Sequence, residues 1–196
     1  MNENSENKNE YKILLLGDSK VGKTSFFKKL TTGMYDTEET ITLEIEKKTF
    51  ELKMKDGKNI IFSIFDSPGI YRLHPMSKRL LDIADGVILI YDSCSFNELE
   101  DWTSSLSGDI LKDISVLFLC NKKKIESKKE ITTEEGEKFA KEHGYMFDEC
   151  SVKDDSKEKL MSIFYKLARE VYENSPEKRK EKEIMKKILE EEEIKR

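Results

Sequence analysis

Short apolar runs alternate with amphipathic stretches along this chain. YKILLLG, GVILIYD and SVLFLCN are continuous runs bounded by polar residues, the pattern of strands buried on both faces. YMFDECS is a shorter run of the same kind. Between them the spacing turns helical. KTSFFKKLTT sets Phe26, Phe27 and Leu30 on one side and stops at Gly33. A helix-like stretch passes through Leu80, Leu81 and Ile83, and SFNELEDW reads as a helix with Ser95 as its cap. TTEEGEKFAKEHG opens on Thr133 as a cap, carries early acids and closes at Gly144. KEKLMSIFYKLAREVYE lines up Leu160, Ile163, Phe164, Leu167, Ala168 and Val171 as an apolar face. The segment ITLEIEKKTFELKMKDGKNIIFSIF differs from all of these. It alternates Ile41, Leu43 and Ile45, and its centre, Lys55 to Lys58, holds Asp56-Gly57, which takes positive φ readily. That is an antiparallel hairpin. Strands alternating with helices predict an α/β fold whose sheet is largely parallel.

The two ends read differently from the middle. Residues 1–10 are polar and are expected to be disordered, residues 11–173 form the folded domain, and 174–196 form a charged helical tail. Ser175 caps that tail helix and Pro176 occupies its first position. Its apolar residues are the cluster Ile184, Met185, Ile188 and Leu189, and two readings stay open: a solvated extension, or a helix that packs on a partner. Glu190 to Glu193 oppose the helix dipole and favour fraying.

Charged residues make up 38% of the chain, but the net charge is only −5. That balance gives no electrostatic case for a nucleic-acid partner. The three cysteines, Cys94, Cys120 and Cys150, sit in or beside apolar runs and read as buried thiols of a reducing compartment. No run approaches the roughly 20 apolar residues of a membrane span. The start lacks a signal-peptide core, Asn2 stands where myristoylation needs glycine, and EEEEIKR has no neighbouring cysteine for a prenyl group. The expectation is a cytoplasmic protein with no membrane anchor of its own, recruited to membranes, if at all, by partners.

The chemistry enters at GDSKVGKT, Gly17 to Thr24, which fits G-x-x-x-x-G-K-[ST] between a strand and a helix. Backbone N–H groups from Ser19, Lys20, Val21, Gly22, Lys23, Thr24 and Ser25 converge on one anion at such a turn. Lys23 adds a mobile charge for the outer phosphates, and the Thr24 hydroxyl suits Mg²⁺. Asp66 and Gly69 in DSPG form a weaker pattern, since Asp-Ser-Pro-Gly is ordinary turn chemistry. Placed after a strand downstream of the phosphate loop, Asp66 reaches Mg²⁺ through water and Gly69 N–H reaches a terminal phosphate. His74 and His143 have no partner spacing and read as surface residues.

GDSKVGKT, ETITLEI, DSPG, GVILIYDSCSFNELEDW, NKKK and CSVK occur in the order found in the Ras superfamily of small GTPases, and the chain resembles the Rab branch most closely. The resemblance covers about Lys12 to Tyr172. It implies a Ras-like P-loop domain with a six-stranded sheet, five strands parallel and one antiparallel edge strand, flanked by helices and followed by the charged helical extension. It further implies GTP/GDP binding with Mg²⁺, with Thr24, Thr40 and Asp66 at the metal. Thr37 is the second choice for Thr40. Tyr35 is either an edge of the base or ribose site or an exposed loop aromatic. The base would be met by Asn121, Lys122, Ser151, Val152 and Lys153. Effectors and regulators would read residues 36–45 and 70–80.

The departures from the family pattern bear on function. Lys124 stands where the family's NKxD motif has the aspartate that accepts from guanine N1–H and the 2-amino group. An ammonium only donates. Hydrogen bonds to charged groups contribute about 1.5–3 kcal/mol each, so guanine selectivity is expected to weaken. Ile70 replaces the glutamine that orients the attacking water, which leaves no confident catalytic residue and implies slow hydrolysis unless a partner supplies an arginine. Lys20 replaces a small residue in the phosphate loop, with its side chain expected to face solvent. Three functions remain open: a Rab-like guanine-nucleotide switch, as in vesicle trafficking; a pseudo-GTPase binding module; or a P-loop protein of relaxed base specificity that binds ATP.

Overall fold

A computed structural model describes residues 10–36, 45–67, 80–92, 102–103, 106, 114–122 and 131–194, without the side chains of Met185 and residues 187–194. Thr37, Thr40, Gly69, Ile70, Lys124, His74, Cys94 and the helix start at Ser95 lie outside the described residues, as do residues 1–9 and 41–44. Within them the strands are β1 (Glu10–Leu16), β2 (Glu46–Lys53), β3 (Asn59–Asp66), β4 (Gly86–Asp92), β5 (Ser115–Asn121) and β6 (Met146–Cys150). The helices are α1 (Lys23–Thr32), α2 (Thr133–His143), α3 (Lys157–Glu173) and α4 (Pro176–Ile194).

The strands make one six-stranded sheet in the order β2-β3-β1-β4-β5-β6. Only β2 is antiparallel, paired with β3 from Glu46↔Asp66 to Lys53↔Asn59. The expected α/β architecture and its antiparallel edge strand are therefore what forms. The continuous apolar runs take the central places because helices cover both faces there. All of Leu14, Leu15, Leu16, Val87, Ile88, Leu89, Leu117, Phe118 and Leu119 are buried. Edge strand β2 is instead exposed along most of its length, and its lysines and glutamates suit an edge that must not recruit another strand.

One face packs against α1 and α3 around Phe26, Phe62, Phe164 and Leu167. The other packs against α2 around Tyr91, Trp102, Phe118 and Ala140. Tyr91 and Phe118 stack at 4.1 Å between centroids. Burying each such side chain contributes about 1.5–3 kcal/mol, so the sheet is a rigid base for the loops at its carboxyl edge.

Local details differ from expectation in three places. Glu10, placed by the sequence reading in the disordered segment, is the first residue of β1; its carboxylate accepts from Ser63 Oγ at 2.6 Å and Lys47 Nζ at 3.0 Å. The cap of α2 is Thr132, not Thr133. Thr132 alone has a glutamate three residues on: Glu135 N–H donates to its hydroxyl at 3.2 Å while Glu135 Oε2 accepts from Thr132 N–H at 2.9 Å. The helical turn at Leu80 and Leu81 ends before Ile83, which is 49% exposed.

The charged helix α4 starts as expected, with Pro176 first and Ser175 Oγ accepting from Lys178 N–H. Its opening turns are tied to the body of the protein. Lys178 Nζ lies 2.8 Å from Asp56 in the β2–β3 turn and 5.2 Å from the Tyr172 ring centroid. The Tyr172 hydroxyl donates to the same carboxylate at 2.8 Å. The Lys178 and Tyr172 hydrogen bonds hold Asp56 well below the usual carboxylate range. A depressed carboxyl pKa stabilises the fold fully above its unfolded value of about 4, and that stability is lost progressively as pH falls from there through the lower folded value. Thermal melts across the acid range should therefore show Asp56→Asn with a lower melting temperature than wild type at neutral pH. The two curves should converge toward pH 2, and parallel curves would show that the contact contributes nothing.

Candidate functional site

The carboxyl ends of β1, β3, β5 and β6 bring residues 17–24, Asp66, Asn121 and residues 151–153 to one edge of the sheet, where open α/β sheets bind ligands. β1 ends at Leu16 and the chain turns through residues 17–22 into α1. Gly17 takes φ 131°, and a Cβ there would run into the Ile90 carbonyl of β4. Gly22 takes φ 107°, and a Cβ there would meet the Asn121 side-chain amide. Between them Lys20 also adopts a left-handed conformation, φ 65°, a strain of about 1–2 kcal/mol for a residue with a side chain. Alternating handedness turns successive N–H groups toward one point. The first turn of α1 has no acidic side chain, so its positive end is left for an anionic ligand.

Lys23 is buried and donates to the Asp18 carbonyl at 2.6 Å, which folds it over the loop. Ser19 and Lys20 are exposed, Val21 is buried, and Ser25 lies in the first turn of α1. The Lys20 side chain faces solvent as the sequence suggests, but its backbone strain has no signature in the residue itself.

Thr24 and Asp66 come together from α1 and the end of β3. The Thr24 hydroxyl donates to Asp66 Oδ2 at 2.6 Å. Asp66 is fully buried, and its other oxygen, Oδ1, has no hydrogen-bond partner. Burial pushes this carboxyl up to about 6, against the Thr24 hydrogen bond and the nearby Lys23 charge, which pull it down. An orphaned, desolvated carboxylate oxygen beside a threonine hydroxyl offers the oxygen donors that a hard divalent cation takes. The residues fit Mg²⁺.

Asn121 at the end of β5 joins the two halves of the site. Its Nδ2 donates to the Val21 carbonyl at 2.8 Å and its Oδ1 accepts from Val152 N–H at 3.0 Å. Lys122 N–H donates to the Cys150 carbonyl at 2.7 Å, and Lys122 Nζ pairs with Glu149 at 2.7 Å. Ser151 starts a tight turn: its N–H donates to Asp155 at 2.8 Å and its hydroxyl to Asp154 at 2.8 Å. Val152 is buried in that turn, and Lys153 is exposed. Residues of the phosphate loop, Asp66, Asn121 and the 151–153 turn are thus linked from four separate segments.

Sequence reading missed Lys29. It sits among the basic residues of FFKKL and looks like an outward charge, yet it is only 8% exposed and donates to the Val152 and Lys153 carbonyls, both at 2.9 Å. Its place three residues after buried Phe26 was the available signal. A cavity of about 350 Å³, lined by Ser115, His143, Tyr145, Asn174 and Arg179 among others, opens at the amino ends of β5 and β6, away from all of these groups.

Two substitutions separate the roles here. Asp66→Asn removes a desolvated charge, so the metal-free protein should melt no lower than wild type while Mg²⁺ affinity falls at least about tenfold by titration calorimetry. Asn121→Ala should destabilise in urea by about 1–3 kcal/mol for each of the two backbone groups it orphans.

A Ras family model matches residues 12–173. The Caenorhabditis elegans Ras-related protein Rab-10 is 31% identical over 172 residues, 85% of this chain and 83% of that protein. Human Ras-related protein Rab-8B is 31% identical over 166 residues, 82% of this chain and 78% of its own. Mouse Ras-related protein Rab-44 is 33% identical over 144 residues, 72% of this chain, but the match spans only 15% of that much longer protein. With this coverage, the chain belongs to the Ras superfamily, as a Rab-like small GTPase.

Proposed function

We propose that the protein is a guanine-nucleotide switch of the Rab type that binds GTP and GDP with Mg²⁺, hydrolyses slowly and holds the base less selectively than its relatives. The observation that carries this reading is the Thr24–Asp66 pair at 2.6 Å beneath the phosphate loop, with Asp66 Oδ1 left unpartnered. The loop N–H groups and Lys23 would hold the phosphates, Gly69 would donate to the terminal one, and Thr24, Thr40 and Asp66 would hold the metal. Bound there, Mg²⁺ would neutralise charge on the phosphates. Asn121, Lys122, Lys124, Ser151, Val152 and Lys153 would surround the base.

Weakened selectivity follows from Lys124, whose ammonium cannot accept from guanine. Slow turnover follows from Ile70, which offers neither donor nor acceptor to a water. An arginine supplied in trans accelerates such sites by about 10³–10⁵-fold, so a partner could restore hydrolysis. By the likeness to the family, residues 36–45 and 70–80 would present the nucleotide state to effectors and regulators. A role in vesicle trafficking, with recruitment to membranes through partners, fits the Rab likeness. No helix among the described residues is long and apolar enough to cross a membrane. The division into a domain over 11–173 and a tail over 174–196 is likewise proposed, with the far part of α4 available to a partner.

Denaturing the purified protein, identifying any released nucleotide, and titrating GDP, GTP, ATP and XTP with Mg²⁺ tests the reading. Saturable GDP and GTP binding with slow release of phosphate is expected. Tight ATP without GTP would overturn it in favour of an adenine binder, and no binding at all would leave a pseudo-GTPase module. Lys124→Asp should tighten GDP binding by at least about tenfold, by restoring an acceptor to two guanine donors. Unchanged affinity would mean that the base sits elsewhere.

A further inference from the structure

Lys29 has no counterpart among the roles assigned so far, and its position is unusual. An ammonium that is 8% exposed gives up most of its hydration, which is tolerated only where its protons find acceptors. Two go to the consecutive carbonyls of Val152 and Lys153 at 2.9 Å. The ammonium also lies 5.8 Å from the centroid of the Tyr35 ring, within cation–π range. Lys29 therefore reaches from the last turns of α1 to both the 151–153 turn and the segment that follows α1.

The consequence for the turn is geometric. Val152 N–H is committed to Asn121 Oδ1 at 3.0 Å, while the Val152 carbonyl is committed to Lys29. A trans peptide points its C=O and N–H in opposite directions. With the Val152 carbonyl drawn toward α1, the Lys153 N–H of the same peptide is directed away from α1. With its own carbonyl held by Lys29, and the peptides before and after it held by Asn121 and Lys29, this peptide is restrained from turning that donor elsewhere.

We propose that Lys29 is a positioning residue for base recognition: by holding the Val152 and Lys153 carbonyls it aims the Lys153 N–H at a carbonyl acceptor on the purine. This rests on the guanine-nucleotide reading above. Guanine carries such an acceptor at C6, whereas adenine carries an amino group there. With Lys124 in place of the usual acceptor, a larger share of the discrimination between the two bases falls on this backbone donor, and so on the lysine that fixes it.

The test compares wild type, Lys29→Met and Lys29→Arg for affinity to Mg²⁺-GDP and Mg²⁺-ADP, with thermal melts alongside. Lys29→Met fills the same space without a donor and should lower GDP affinity at least about tenfold, with ADP affinity shifting less than about twofold. Lys29→Arg, which still donates, should stay within about threefold of wild type for both. If Lys29→Met does not fold at 25 °C, Lys29→Gln keeps an uncharged amide NH2 as donor and should show an intermediate loss confined to GDP. Equal losses for GDP and ADP, or no loss, would overturn the proposal and leave Lys29 a purely structural contact. Failure of wild type to bind GDP would instead remove the guanine-nucleotide reading on which it stands.

Discussion

The buried amide of Asn121 is the contact on which the arrangement of the site depends. One side chain fixes the phosphate loop through the Val21 carbonyl and the base-side turn through Val152 N–H. The two partners also set the amide's orientation, since one only accepts and the other only donates. Its room is made by Gly22, where any side chain would displace the amide. A glycine in the phosphate loop thus also makes room for the tie to the 151–153 turn. Three chain segments are joined through a residue that needs to touch no ligand to do so.

Around that tie the site is built from groups held at some cost to the fold. Asp66 keeps a carboxylate out of water with one oxygen unpartnered, and Lys20 holds a left-handed backbone. Such strained or desolvated groups cluster where a fold is arranged in advance for a charged ligand. The rigid sheet beneath holds them in place. The same logic extends to Lys29, a buried charge that repays its desolvation by fixing two carbonyls.

The helix α4 adds a different kind of constraint. Its sequence leaves open a solvated extension or a helix that packs on a partner, and its charge pattern names no docking site on the domain. Lys178 nevertheless reaches Asp56 and the Tyr172 ring, which lie far away or at the preceding helix end. The hairpin that includes β3, and with it Asp66, is held at its far turn by the first residues of the tail. The sequence could not disclose this, because an exposed-looking lysine and a turn aspartate carry no signal of each other.

By itself the sequence determined the elements, the parallel sheet with its antiparallel edge, the phosphate loop and the order of the family's motifs. These follow from local periodicity, turn chemistry and spacing, which are properties of neighbouring residues. It also determined the two departures, Lys124 and Ile70, since the identity of a side chain is enough to say what it can donate or accept. It misassigned the α2 cap by one residue, where only the reciprocal bond with Glu135 distinguishes Thr132 from Thr133. Only the tertiary structure decided that Asn121 spans both loops, that Asp66 is stripped of water, and that Lys29 and Lys178 are bound inward. Each of these depends on which distant backbone or carboxylate arrives within about 3 Å, the reach of a hydrogen bond. Chain folding settles that distance, and sequence spacing does not encode it.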